Sequence, residues 1–239
     1  MKILVYIIGY EIKGNFRFER MMDKIVNPLR KDGIEVEIAS CVTGNNGIEE
    51  KIDYSLYSNG MQLTKSCYLV SNLAKNDYDW YIKIRPDLNI KTTINKDFIE
   101  GLSKEKINAR CRHYSGPPIY RRYGFSCKRD VKYQIKSEVE KIIPDDQMYI
   151  FHKNCIRAFE ELNEDIYLEY CNKLCEKQED WIFFEVWLNQ DYWLKPKKKC
   201  EPEGHHAFIW YSRGVFVNII DLSCNLDRGG LDSDELKIE

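Results

Sequence analysis

The sequence predicts an α/β protein, one domain on an open and mostly parallel sheet with flanking helices. Three observations carry that expectation. Over the first ninety residues, apolar runs of strand length alternate with stretches of helical periodicity. The first of those runs is continuous and aliphatic, as in strands covered on both faces. Glycine or polar residues punctuate the ends of the runs. Strand–helix–strand order of this kind favours parallel pairing through right-handed crossovers.

Taken in order, KILVYII (residues 2–8) reads as a first buried strand that Gly9 ends. From Asn15, a candidate N-cap, the residues Phe16, Met22, Ile25, Val26 and Leu29 recur at helical spacing until Asp32-Gly33 stops them. IEVEIAS (34–40) is the second strand. A Gly/Asn loop follows, then a helix through Leu63, Cys67, Val70 and Leu73. The third strand lies in DYDWYIKIRPDLNI (77–90) and breaks at Arg85-Pro86-Asp87. Beyond it the pattern is less regular. A short helix near 96–102 leads to a strand at 107–112 and a loop at 113–126 rich in Gly, Pro, Tyr and Arg. Helical runs are expected around 153–162 and 165–175, followed by EDWIFFEVWLNQ (179–190). HAFIWYS and GVFVNIIDLS read as closing strands, so the domain covers residues 1–225, with an acidic tail at 226–239.

Composition narrows the function classes. Hydrophobic residues are 44% of the chain, enough for a sizeable core. A net charge of -2 provides no basic field for nucleic acid. The apolar N-terminal run is too short to span a bilayer and has no small-residue cleavage site, so stable membrane insertion is not expected. Nine cysteines, an odd number at irregular spacing, favour a reducing, cytoplasmic setting. Cys171, Cys175, Cys200, His205 and His206 lack the Cys-x-x-Cys spacing of a structural zinc site.

In open α/β sheets ligands bind outside the carboxyl ends of the strands. Gly9, Ser40 and Asp87 fall at such ends. There is no G-x-G-x-x-G after the first strand and no Walker loop, which excludes nicotinamide and ATP sites of those kinds. A carboxylate at the end of a core strand suits a hard divalent cation bridging to a diphosphate. Asn89, two residues along an extended segment, would add an amide oxygen on the same side.

At these residues the chain resembles a family. DYDWYIKIRPDLNI is similar to the strand and metal motif of GT-A-type glycosyltransferases of the sort found in polysaccharide-synthesis loci and large DNA viruses. DDQM, residues 145–148, resembles a second landmark of that family. The likeness covers roughly residues 2–151, and the family's Asp-x-Asp is Asp87-Leu88-Asn89 here. It implies a GT-A-like domain with a nucleotide-binding half at about 1–90 and an acceptor-side half at about 91–225. It also implies transfer of a sugar from a UDP-, GDP- or dTDP-sugar to a glycan acceptor, assisted by Mn2+ or Mg2+.

The resemblance further implies nucleotide contacts from Gly9, Tyr10, Arg17 and Arg85. Asp87 and Asn89 would hold the metal, with His205 or His206 completing its shell. Asp146, beside Asp145, would be the general base of an inverting enzyme, or a ligand of sugar hydroxyls in a retaining one. Two other readings stand beside this one. A sugar-nucleotide nucleotidyltransferase would carry a compact Gly-rich basic loop that GYEIKGNFRFER lacks. A non-catalytic carbohydrate-binding module is suggested by the Tyr- and Trp-rich second half.

Overall fold

The computed structural model describes residues 1–12, 18–111, 144–160, 162, 165, 206, 209–210, 213–222 and 224–226. Outside them lie Arg17, His205, the loop at 113–126 and, Asp165 apart, the helices expected at 165–175 and 179–190.

The described strands are β1 (Lys2–Ile8), β2 (Glu35–Val42), β3 (Tyr54–Tyr57), β4 (Trp80–Ile84), β5 (Leu88–Ile90), β6 (Lys106–Cys111), β7 (Pro144–His152), β8 (Phe216–Ile219) and β9 (Cys224–Leu226). Seven form one mixed sheet in the order β3-β2-β1-β4-β7-β6-β8, so residues from both halves of the chain share it. β1, β2, β3 and β4 are mutually parallel, β6 is parallel to β8, and β7 is antiparallel to both β4 and β6. One strand of the seven therefore opposes the rest. That reversal decides the site, because the first residues of β7 emerge at the edge where β1 and β4 end.

Helices cover both faces. On one face α1 (Phe18–Met21), a π-helical turn (Met22–Val26) and α2 (Asn27–Lys31) run together, and α4 (Lys96–Glu100) joins them. They bury Met21, Ile25, Val26, Leu29 and Ile99 against Ile3, Val5, Ile7, Ile38 and Ile82. On the other face α3 (Gln62–Leu73) packs Leu63, Cys67, Val70 and Leu73 over Leu4, Tyr6, Ile8 and Tyr81. The alternation of β1 between the two clusters is the period-2 geometry of a strand buried on both sides.

The structure corrects or sharpens the sequence pattern at four places. β3 replaces part of the loop expected before α3. It has four residues alternating between half-buried and exposed at the sheet edge, and its backbone pairs with β2 from Ala39↔Tyr54 to Val42↔Tyr57. The helical run expected around 153–162 is a 3-10 helix at Lys153–Phe159. β7 begins at Pro144 and takes in Asp145 and Asp146, which were expected just ahead of it. Within HAFIWYS the described residues His206, Ile209 and Trp210 are helical rather than extended, and Arg213 N–H closes back on the carbonyls of Ile209 and Trp210 at 3.1 and 3.2 Å. The three buried residues stand at i, i+3 and i+4, the stripe of a helix face.

The amino-terminal edge of the sheet carries a separate ion network. The Lys2 ammonium meets Glu35 at 3.1 Å and Glu37 at 2.8 Å, and the Tyr78 hydroxyl donates to Glu37. Asp79 accepts from the Lys2 N–H at 2.9 Å and meets the Lys153 ammonium at 3.1 Å.

Candidate functional site

Three loops converge where the parallel strands end. Gly9 follows β1, and the Pro86 ring lies so close that a Cβ on Gly9 would sit 2.5 Å from Pro86 Cγ. Gly9 is therefore demanded by packing: only a bare Cα lets the loop after β4 approach the loop after β1. The Tyr10 carbonyl accepts from the N–H groups of Thr43 and Gly44 at 2.9 and 2.7 Å, which ties the loop after β2 into the same edge. The Tyr10 side chain stands in solvent, 71% exposed.

Arg85 and Asp87 face each other across Pro86. Arg85 Nε donates to Asp87 Oδ1 at 2.9 Å and Nη2 to Oδ2 at 2.7 Å, a two-pronged charge-assisted pair. Backbone pairing carries on past β4, since the Arg85 N–H donates to the Gln147 carbonyl at 3.1 Å. That link sets the start of β7 beside the Arg85–Asp87 turn. Asp146 is 1% exposed, and its Oδ1 lies 4.0 Å from Arg85 Nη1 with no hydrogen-bond donor among the described residues. One guanidinium thus serves two carboxylates. A buried carboxylate oxygen without a donor is costly unless a proton, a hydroxyl or a cation meets it.

Two lysines that the sequence reading passed over belong to this edge. Lys83 of β4 is fully buried, and its ammonium donates to the Asp146 carbonyl and to Gln62 Oε1 at 3.2 Å. It also lies 5.4 Å from the centre of the Tyr149 ring. Lys65 of α3 is 4% exposed and donates to the Gly9 carbonyl at 2.8 Å. Burial pushes the Lys65 ammonium below its ordinary value, partly offset by the Cys41 thiol. The signal was present in the sequence as a lysine inside the WYIKI strand and another in the first turn of α3.

The remaining candidates do not gather around Asp87 in the same way. Asn89 of β5 is buried with Oδ1 unpartnered, and it pairs in register with Asn225 of β9. His206 is fully buried among rings, 6.0 Å from Tyr149 and 5.4 Å from Trp210. Asp145 is placed through its backbone in β7; its side chain lies outside the described residues, as do Arg17 and His205. Among the described residues no three His, Cys, Asp or Glu side chains converge as a metal cage. Both Asp87 oxygens are held by Arg85, so a divalent cation there would have to displace the guanidinium. No described helix is long and apolar enough to cross a membrane.

The chain matches no protein-family model and no curated protein sequence.

Proposed function

We propose that the protein is a glycosyltransferase with a GT-A-like fold, moving a sugar from a nucleoside diphosphate sugar to a glycan acceptor. The observation that carries the reading is Asp146: a buried carboxylate whose Oδ1 accepts no hydrogen bond from the described residues, brought by the reversed strand beside the Arg85–Asp87 turn at the carboxyl edge. In an inverting transfer the acceptor oxygen bonds to the anomeric carbon as the bond from that carbon to the diphosphate breaks. The electron pair leaves with the diphosphate, and the acceptor proton passes to Asp146 Oδ1.

Mn2+ or Mg2+ is part of the proposal through Asp87, which the ion would have to take from Arg85, and Asn89 of the following strand β5. When bound, such an ion would supply charge to offset the leaving diphosphate. The deciding experiment is a thermal-shift and calorimetric screen with UDP, GDP and dTDP, with and without manganese, followed by mass spectrometry of acceptor glycans incubated with the nucleotide sugars. Nucleotide stabilisation and a mass gain of one sugar support the transferase. Stabilisation by glycans alone would point instead to a binding module, and release of pyrophosphate from a nucleoside triphosphate to a nucleotidyltransferase. Asp87→Ala is expected to abolish the manganese-dependent part of nucleotide affinity while keeping the fold. Equal affinities in the two proteins would remove the metal from the reading.

A further inference from the structure

A buried lysine normally has a carboxylate, because an isolated charge taken out of water is unstable unless it is paired. Among the described residues Lys65 has none. Its ammonium donates one hydrogen bond there, to the Gly9 carbonyl, and forms no ion pair. Two of its three N–H groups therefore have no acceptor among the described residues. Lys83, the other buried lysine of this edge, differs in that a carbonyl, an amide oxygen and an aromatic face surround it.

The position of Lys65 compounds the imbalance. It sits in the first turn of the twelve-residue α3, where the helix dipole already favours negative charge and disfavours a cation. The Met61 N-cap supplies no side-chain acceptor, and the first backbone bond of the helix runs from Lys65 N–H to the Met61 carbonyl at 2.9 Å. The N–H groups of Gln62, Leu63 and Thr64 ahead of it are thus without a helical partner. The buried ammonium reaches back from this turn to the end of β1, the strand end that Pro86 brings next to the Arg85–Asp87 turn.

We propose that Lys65, with the open first turn of α3, forms a phosphate subsite at the end of β1, taken by the diphosphate of the donor. The inference rests on the nucleotide-sugar reading for the identity of its ligand. Its physical basis is independent of that reading, being a cation without a counter-charge among the described residues, beside backbone donors that have no helical partner. Phosphate there completes the ammonium's hydrogen bonds and offsets its charge, while Arg85 remains with Asp87 and Asp146.

The test uses the full chain and calorimetry with pyrophosphate, the three nucleoside diphosphates and the parent nucleosides. Lys65→Gln retains a donor for the Gly9 carbonyl without the charge, and Lys65→Met retains the apolar stem. Both are expected to lose about tenfold to a hundredfold in affinity for pyrophosphate and for the nucleoside diphosphate that binds, with nucleoside affinity unchanged. The ligand-free melting temperature of Lys65→Gln is expected to hold or rise, because an unpaired buried charge has been removed. If Lys65→Met fails to fold, Lys65→Gln decides alone. Wild-type affinity for pyrophosphate and diphosphates in Lys65→Gln would overturn the subsite and leave the transferase reading standing. Lys65-dependent pyrophosphate binding in a protein that transfers no sugar would do the reverse. A protein that binds neither pyrophosphate nor any diphosphate would overturn both. A drop in melting temperature with equal losses for nucleosides and diphosphates would make Lys65 a structural tie.

Discussion

Gly9 and Asp146 state two different demands of one site, and each can be tested alone. At Gly9 the demand is space. A methyl group there meets Pro86 Cγ at 2.5 Å, so either the ring or the backbone of the Arg85–Asp87 turn must move. Gly9→Ala is expected to cost about 1–3 kcal/mol, read as a lower denaturant midpoint, and to loosen nucleotide binding at the same time. An unchanged midpoint would mean that the loops absorb the methyl group freely. At Asp146 the demand is charge. Asp146→Asn preserves shape, so donor affinity is expected to hold while the transfer rate falls about a hundredfold to ten-thousandfold. Measured together, affinity and rate separate a base from a residue that only binds. Near-normal turnover would place the base elsewhere or make the enzyme a retaining one.

Among the elements, β7 contributes most to the site and was the least legible. The apolar residues Met148, Ile150 and Phe151 mark a strand, yet nothing in a single strand's pattern records its direction. Antiparallel pairing with β4 is a property of the assembled sheet. β3 escaped notice for a related reason: an edge strand of four residues has too little buried surface to print a periodicity. The helix containing His206 was misread because an apolar cluster of that length fits two periods. Only the joint burial of His206, Ile209 and Trp210 chooses between them. By contrast, β1, α3 and β4 were readable, since each buries a long run whose spacing has one interpretation. The motif at Arg85 and Asp87 was likewise legible as a strand end, while the fork between the two residues was not, because it depends on rotamers around Pro86.

Two properties of the whole molecule follow from how its polar groups are buried. Burial pushes the His152 imidazole below its ordinary value of 6.5, and the charge of Lys104 adds to the shift. At Glu37 and Asp79 burial acts upward, but hydrogen bonds outweigh it and hold both carboxyls below 4.5 and 3.8, their ordinary values. In all three the folded state binds its proton less readily than the unfolded chain, so stability is full above the ordinary value and is lost as pH falls through the folded one. Melting temperature is thus expected to fall in two stages on acidification, first below 6.5 and again below 4.5. His152→Phe should remove the first stage and keep the second; persistence of both stages in that variant would remove His152 from the account. The buried thiols make the second property. Burial raises Cys41 to about 11 and Cys67 and Cys155 to about 12. These three are expected to stay unreactive towards a thiol reagent in the native protein at neutral pH and to label on denaturation. Labelling of any of them in the native state, found by peptide mapping, would show that its cover opens.

The reversal of β7 has one more consequence, in the currency of evolutionary change. Cys111 at the end of β6 and Pro144 at the start of β7 are paired rungs of the same sheet, so the 32 residues 112–143 leave and rejoin the frame at neighbouring points. Both points lie on the edge that carries Asp146. With both ends held by one rung, a change in the number of residues between them is compatible with an unaltered register of the described strands.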